Sequence, residues 1–213
     1  LPRLAAHGIR TALERYRAML RGLRERGITP MVTLHHFSDP LWFYEMDGWE
    51  HDEAAVMFEK FVRKTVEALK EHCSFWCTIN EPNVYALSGY VAGSFPTKRR
   101  GLKVAMQAQA NMLLGHAAAY YAIHEIQSEA RVGYALHFRP MVARNKWSPL
   151  DVLMRNIQYN GINMAFPSAI SSGVMKSPLG NVHIPEAKGT QDYLGVNYYS
   201  VDTIKFDITN PKE

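Results

Sequence analysis

Polar side chains follow four apolar stretches of the sequence, at the point where each stretch ends. The four ends are His35-His36-Phe37, Asn80-Glu81, His137-Phe138-Arg139 and Asn197-Tyr198-Tyr199. Together they offer a carboxyl, amides, imidazoles, phenols and aromatic faces, with few cations. Amides and imidazoles exchange hydrogen bonds with hydroxyl groups, and a positioned carboxyl can act as a general acid. These residue types predict the binding of a neutral, hydroxyl-rich ligand and acid catalysis upon it.

The four stretches have the composition of buried strands. They read ITPMVTLHHF, SFWCTIN, ARVGYALHF and DYLGVNYYS, and each is apolar almost throughout rather than alternating. Such runs are typical of a parallel sheet that helices cover on its faces. Helical patterns separate the strands: residues 11–26, a segment after the expected N-cap Asp52, residues 103–128, and a helix that opens at Ser148-Pro149. The order predicts an α/β fold.

The connections differ in length at the two ends of the predicted strands. The loops that follow strands are long and rich in aromatic and polar residues, whereas those that precede strands are short. This asymmetry is typical of an α/β barrel, whose active sites lie at the carboxyl ends of its strands. A doubly wound sheet remains an alternative, although no glycine-rich nucleotide-binding motif follows any strand. We expect a single domain over residues 1–213, with residues 173–189 as a loop.

Composition narrows the class of protein. Hydrophobic residues make up 47% of the 213 residues and charged residues 21%, which is ordinary for a globular protein. The net charge is +4, but no basic stripe accompanies a recognisable motif, so no nucleic-acid partner is predicted. No apolar run approaches the roughly 18 residues of a membrane span. A cytoplasmic location is therefore expected, although the chain starts at Leu1 in mid-pattern and we expect further sequence before it.

The two cysteines predict neither a disulfide nor a metal site. Cys73 and Cys77 are four residues apart in a predicted strand, which separates them by roughly 13 Å. That distance is too long for a disulfide, and a lone pair of cysteines is a poor zinc site. We expect both to be small buried side chains, and we expect no metal or other cofactor.

Four motifs carry a resemblance to a known family. They are TLHHF, Gly48-Trp49, TINEP and GVNYY, which occur in that order across nearly the whole chain. Asn-Glu-Pro alone is a weak signal, but the ordered set is specific. The chain resembles family 1 of the glycoside hydrolases, the β-glucosidase family. The resemblance implies a (β/α)8 TIM barrel, of which this chain would supply about half, roughly strands 3 to 6 with their helices.

The resemblance also implies roles for individual residues. Glu81 would be the general acid that protonates the leaving oxygen and then the base that activates water. Asn80 would bind the sugar 2-hydroxyl, a contact that strengthens in the transition state. His36 would bind near the 3-hydroxyl, and Phe37, where the family often has Trp, would wall the same subsite.

Two further residues and one missing motif complete this expectation. Asn197 and Tyr199 would face the reacting centre, with Tyr199 positioning the nucleophile. The family's nucleophile lies in a Thr-Glu-Asn-Gly motif, which this chain does not contain. The predicted activity is therefore that of a retaining β-glycosidase acting by double displacement on a small β-glycoside or oligosaccharide, with the nucleophile outside this chain. The sequence does not specify the sugar, any 6-phosphate on it, or an oligomeric state.

Other interpretations stay open at this point. Glu81 could cap a loop, His36 could be a core histidine, Tyr199 could fill the barrel and Asn197 could be a turn residue. The protein could also be a non-catalytic carbohydrate-binding relative, an inactive fragment, or a member of another barrel family with Asn-Glu-Pro. Because half a barrel leaves two sheet edges unpaired, we expect this segment alone to aggregate or to bind a partner.

Overall fold

A four-stranded parallel sheet forms the centre of the molecule. The structure is a computed structural model that describes residues 2–95, 97 and 99–209. The strands are β1 (Val32–His35), β2 (Phe75–Asn80), β3 (Arg131–His137), β4 (Met141–Ala143), β5 (Val174–Met175), β6 (Val182–His183), β7 (Tyr193–Asn197) and β8 (Asp202–Ile204). The central sheet has the order β1-β2-β3-β7, and all its neighbours are parallel.

Seven helices of the described chain connect and flank the strands. They are α1 (Pro2–Arg24), α2 (Leu41–Glu45), α3 (Ala54–Leu69), α4 (Pro82–Ala86), α5 (Leu102–Ile126), α6 (Pro149–Gln158) and α7 (Ala165–Ser172). Short π-helical turns follow α4 and α6 at Leu87–Ala92 and Tyr159–Asn163. In α3 the buried residues recur every three or four positions, as they do when one helical face packs on a sheet. In the described part of the chain, no helix is long and apolar enough to cross a membrane.

The strand order decides between the two α/β architectures. The central strands follow one another in the sheet as they do in the sequence, without the reversal of direction that defines a doubly wound sheet. One row of paired residues crosses the sheet through Thr33, Cys77, Gly133 and Tyr193. A Cβ atom at Gly133 would lie 2.3 Å from the carbonyl oxygen of Tyr193, so only glycine fits there. The predicted barrel-type fold is confirmed, as a partial barrel.

A layer of buried polar contacts joins the sheet to α5. His116 is fully buried, and its Nε2 lies 2.6 Å from the carbonyl oxygen of Thr190. A carbonyl can only accept, so Nε2 donates and Nδ1 accepts from the Thr78 hydroxyl 2.7 Å away. Burial lowers the pKa of His116 to about 4. His116 is therefore a packing residue between α5 and the sheet.

Local structure differs from the sequence prediction in two loops and at one helix N-cap. The segment after β1 contains α2 and a 3₁₀ turn at Gly48–Glu50. The segment 173–189, expected to be irregular, contains the antiparallel hairpin of β5 and β6. Asp52 was the wrong N-cap for α3, because Glu53 occupies that position and forms no side-chain cap. Short polar connections hide such elements, since their pairing depends on packing rather than on a long periodic pattern.

The remaining predictions about the layers hold. Cys73 and Cys77 are both buried and free, as expected. Ser148 caps α6, accepting a hydrogen bond from the Asp151 N–H at 3.3 Å. The sequence therefore located the main strands and helices, while their exact ends and the short elements between them came from tertiary packing.

Candidate active site

Glu81 lies where β2 ends and α4 begins. Its side chain is only 6% exposed, and its backbone N–H continues the sheet by donating to the Ala135 carbonyl at 2.7 Å. Its backbone is left-handed, with φ 47° and ψ 56°, which costs a non-glycine residue roughly 1–2 kcal/mol. The strand on one side and Pro82 in the first turn of α4 on the other hold it in this conformation. Strain of this kind is concentrated at functional positions.

Two side chains from beyond β3 orient the Glu81 carboxyl. Asn197 Nδ2 donates to Glu81 Oε1 at 2.7 Å and to Asn80 Oδ1 at 3.1 Å. The Tyr199 hydroxyl lies 3.4 Å from the same Oε1. No residue in the described ranges forms a hydrogen bond with Oε2. One oxygen of the carboxyl is thus held in place, and the other is open for a ligand.

The candidate site residues lie at or beside the ends of strands. Glu81 forms no side-chain cap on α4. Asn197 is the last residue of β7 rather than part of a turn. Within this part of the barrel, Tyr199 is 70% exposed and His36 is exposed. Each residue lies at a strand end with its functional group available.

Tyr199 lies beside the Glu81 carboxyl. Its hydroxyl faces Glu81 Oε1, and its expected contact with the nucleophile involves a residue outside this chain and stays a prediction. Its ring packs edge to face against His137, with ring centroids 5.0 Å apart. His137 pairs with Asn197 in the sheet register. The end of β3 therefore supports both residues that contact the Glu81 carboxyl.

His36 and Phe37 lie at the end of β1, apart from the Glu81 cluster. Their rings are 5.1 Å apart, and Phe37 also packs on Phe95 at 5.3 Å. Phe37 is left-handed like Glu81, with φ 63°. Among the residues that the structure describes, no hydrogen bond joins either side chain to Glu81. His36 and Phe37 therefore form a second group of side chains, at the end of β1.

A cavity lies between the loops that follow β1 and β2. It measures about 480 Å³, and its lining includes Phe37, Asp39, Tyr85 and Phe95. Tyr85 belongs to the first turn after Glu81, whose carbonyl accepts from the Tyr85 N–H at 3.0 Å. One residue of the cavity wall is therefore hydrogen-bonded to the backbone of Glu81.

Sequence reasoning missed the residues that support this wall. Asp39 accepts from the Tyr85 hydroxyl at 2.5 Å and lies 3.1 Å from His35 Nε2. Burial and the neighbouring Asp39 carboxylate raise the pKa of Tyr85, so it remains a donor. Asn83 donates to the carbonyl of His137 at 2.8 Å and so ties α4 to the end of β3. The available signal was spacing, since Asp39 and Tyr85 follow His35 and Glu81 by four residues.

The described side chains offer no metal site. Across residues 2–95, 97 and 99–209, no three His, Cys, Asp or Glu side chains come close enough to hold a metal ion. The strand ends around Glu81 present a carboxyl, amides, a phenol and aromatic rings.

Comparison with known proteins places this arrangement in a family. The family model described as glycosyl hydrolase family 1 matches residues 5–212. A β-glucosidase A from Thermotoga maritima is 28% identical, with 93% of this chain aligned to 47% of the relative. A β-galactosidase from Saccharolobus solfataricus is 26% identical over 96% of this chain and 44% of the relative. The chain spans about half the length of the curated relatives it matches.

A solved structure agrees with the sequence matches. The β-glycosidase from Pyrococcus horikoshii superimposes with a TM-score of 0.85 at 31% identity, covering 94% of this chain and 46% of that structure. The four parallel strands and their helices thus correspond to about half of the barrel of this relative.

Proposed function

The chain belongs to glycosyl hydrolase family 1, and from that premise we propose that Glu81 is the acid and base of a retaining β-glycosidase. The β-glucosidase-like character follows from the family and its members. The roles of single residues go further, and the observation that carries them is the half-satisfied carboxyl of Glu81. Oε1 is held by Asn197, while Oε2 is open at the mouth of the sheet. We also propose that residues 1–213 act as one part of a single catalytic barrel.

In the first step the glycosidic bond breaks. A carboxylate outside this chain attacks the anomeric carbon as Glu81 transfers its proton to the leaving oxygen. The leaving group departs as an alcohol, and the sugar is bound covalently to the nucleophile. The amide of Asn197 fixes the direction from which Glu81 delivers the proton.

In the second step the covalent intermediate is hydrolysed. Glu81, now a carboxylate, accepts a proton from a water molecule whose oxygen attacks the anomeric carbon. The bond to the nucleophile breaks, and the sugar leaves with its original anomeric configuration. The same open oxygen of Glu81 serves both steps, because the leaving oxygen and the water occupy the same side of the sugar.

The neighbouring strand ends supply the sugar subsite in this proposal. Asn80, whose Oδ1 already accepts from Asn197, binds the 2-hydroxyl. His36 binds near the 3-hydroxyl, and Phe37 forms the wall. The substrate class is a small β-glucoside, and a β-galactoside is the natural second substrate to compare, given the named activities of the relatives.

Leaving-group dependence tests the role of Glu81. The enzyme encoded by the open reading frame that contains this chain is assayed with an alkyl and a nitrophenyl β-glucoside. Glu81→Gln should lower kcat/KM for the alkyl glucoside by roughly 10²–10⁴-fold, because that leaving group needs a proton. The nitrophenyl glucoside should suffer much less in glycosylation.

The exposed Glu186 on the turn Pro185–Ala187 provides a matched control, and Glu186→Gln should leave both rates unchanged. Equal rates for Glu81→Gln and the parent enzyme would contradict the proposal. The 213-residue chain by itself should hydrolyse neither glucoside, since it lacks the second carboxyl. Turnover by the chain alone, lost on Glu81→Gln, would show that the nucleophile lies within it.

A further inference from the structure

We propose that Arg139 is a positioning residue for the reaction, because it fixes the segment that carries Tyr199 beside the Glu81 carboxyl. Arg139 follows β3, and that segment, residues 198–201, follows β7. The inference rests on the proposed function, in which Glu81 transfers protons. The contacts that support it join the segment after β3 to the segment after β7.

The backbone of Arg139 is held by the side chain of Asn163. Asn163 Oδ1 accepts from the Arg139 N–H at 3.1 Å, and Asn163 Nδ2 donates to the Arg139 carbonyl at 2.6 Å. These two bonds resemble the pair that a residue of a neighbouring strand forms. Asn163 is itself fully buried, at the end of the π-helical turn before α7. The backbone of Arg139 is therefore fixed just beyond the end of β3.

The side chain of Arg139 contacts the segment that follows β7. One guanidinium nitrogen, Nη2, lies 2.8 Å from each carboxylate oxygen of Asp202. The Asp202 N–H donates to the Pro140 carbonyl at 2.9 Å, so Asp202 is held through its backbone as well as its side chain. Both charged side chains are partly exposed, and such a pair contributes little to stability. Its effect is on the position of Asp202.

The segment that carries Tyr199 is fixed at both of its ends. At its start, the Phe138 N–H donates to the Asn197 carbonyl at 3.0 Å. At its end lies Asp202, the first residue of β8. Residues 198–201 between these two points belong to no strand. The position of Tyr199 therefore depends on the contacts that the two ends make with the segment after β3.

The far side of Asp202 is anchored to other elements. β8 pairs in parallel with β4, and Met141 lies opposite Asp202. Beyond β8, the two oxygens of Asp151 in α6 accept from the N–H groups of Phe206 and Asn145, at 3.0 and 3.1 Å. The bond from Phe206, and then that from Asn145, lower the pKa of Asp151 and keep it a carboxylate at neutral pH. Arg139 therefore connects the Tyr199 segment to a well-supported part of the fold.

Arg139 acts through its neighbours rather than on the carboxyl itself. Among the residues that the structure describes, no hydrogen bond joins Arg139 to Glu81, and its contacts are with other groups. Loss of the guanidinium would widen the range of positions open to Tyr199 and to the Asn197 amide. Poorer orientation of an acid slows the chemical step, whereas the sugar contacts stay unchanged. The expected effect is therefore on kcat rather than on KM.

Steady-state kinetics of the enzyme encoded by the open reading frame that contains this chain test the inference. With an alkyl β-glucoside, Arg139→Met should lower kcat roughly 3–10-fold and keep KM within about twofold. Arg139→Lys should recover most of that loss, because a single nitrogen makes both contacts with Asp202. Arg144→Met is the matched control, since Arg144 is exposed just after β4 and should leave kcat unchanged.

A combined variant separates positioning from a general loss of stability. Asn197→Ala with Tyr199→Phe removes both groups that contact Glu81 Oε1. In that background, Arg139→Met should lower kcat by less than about twofold, because the groups that it positions are gone. Asp202→Ala should reproduce the loss of kcat seen in Arg139→Met. Neither substitution should move the unfolding midpoint much, since the ion pair is partly exposed.

The outcomes distinguish this inference from the proposed function. Parent rates for Arg139→Met or Asp202→Ala, with a full effect of Glu81→Gln, would overturn the inference alone. An undiminished loss in the combined background, or a fall in the unfolding midpoint that accounts for the lost rate, would do the same. Equal rates for Glu81→Gln and the parent enzyme would overturn the proposed function and this inference with it.

Discussion

Two buried polar groups on either side of β2 show the difference between a site and a scaffold. His116, behind the strand, is fully buried, and both of its ring nitrogens have partners. Glu81, at the end of the strand, is 6% exposed and has partners on one oxygen only. Burial is nearly equal, so burial does not separate the two. Completeness of hydrogen bonding does, because a saturated group has nothing left to offer a ligand.

Substitutions in the layer around His116 and at the Glu81 carboxyl are expected to have different effects. Removing a saturated buried group leaves its former partners unpaired and costs stability. Removing a half-satisfied group at the mouth costs activity and little stability. Variants that break this rule, in either direction, would show that the two regions are not separate in function.

The largest effect on stability is expected at His116. His116→Leu leaves the Thr190 carbonyl without its buried donor, while the Thr78 hydroxyl can still donate to the Gly133 carbonyl 3.2 Å away. The free energy of unfolding should therefore fall by about 1–3 kcal/mol. Denaturant unfolding measures this loss. His183→Leu, at an exposed histidine of β6, is the control and should change stability little. If His116→Leu lost no more stability than His183→Leu, the buried contacts of His116 would not stabilise the fold.

Acid should destabilise the parent chain through the same residue. The pKa of His116 falls from an ordinary 6.5 to about 4 on folding, so the unfolded chain binds more protons between these values. The contribution of His116 to the free energy of unfolding is therefore full above pH 6.5. It declines as the pH falls toward 4, by about 3 kcal/mol in total. Unfolding curves across this interval should lose that component of the slope in His116→Leu but keep it in His183→Leu.

A smaller effect, and one on activity, is expected at Asn197. Asn197→Ala removes the donor that holds Glu81 Oε1, and kcat should fall roughly 10–100-fold through loss of orientation. The unfolding midpoint should move little, because Asn197 lies at the accessible end of β7. Asn181→Ala, at an exposed asparagine beside β6, is the control for kinetics. A large loss of stability with unchanged kcat in Asn197→Ala would show that Asn197 has a structural role instead.

The smallest effect is expected at Tyr199. Its hydroxyl is 3.4 Å from Glu81 Oε1, which is long for a hydrogen bond. Tyr199→Phe keeps the ring contact with His137 and should lower kcat by about 2–5-fold, a change typical of a weak neutral hydrogen bond. Tyr198→Phe, on the exposed neighbour, should have no effect on steady-state rates. A loss exceeding that of Asn197→Ala would reverse the ranking of the two contacts.

The sequence predicted the position of Glu81 better than its partners. An apolar run that ends in Asn80 and Glu81 locates both at a strand end, because the pattern is local and long. The contact between Glu81 and Asn197 joins residues 116 positions apart, and no periodicity reports a pairing across β3. The parallel order of the strands predicted that the polar strand ends lie at the same edge of the sheet. It did not predict which oxygen of the Glu81 carboxyl accepts the hydrogen bond from Asn197.

The contacts that support the cavity wall and the short hairpin were hard to predict from the sequence for the same reason. The contact between Asp39 and Tyr85 depends on two loops that pack only once β1 and β2 are aligned. The hairpin of β5 and β6 has two residues in each strand, too few for an alternating pattern. The helix positions of α3 and α5 were predictable, since apolar residues recur along many turns.

The left-handed backbone at Glu81 means that selection for stability and selection for activity favour different residues at this position. Glycine has no Cβ penalty at φ 47°, so Glu81→Gly relaxes the turn and should raise stability by up to about 1 kcal/mol while removing the acid. A library screened only for heat resistance would therefore enrich inactive proteins at this position. Thermostability campaigns on this protein should fix Glu81 before randomising its neighbours.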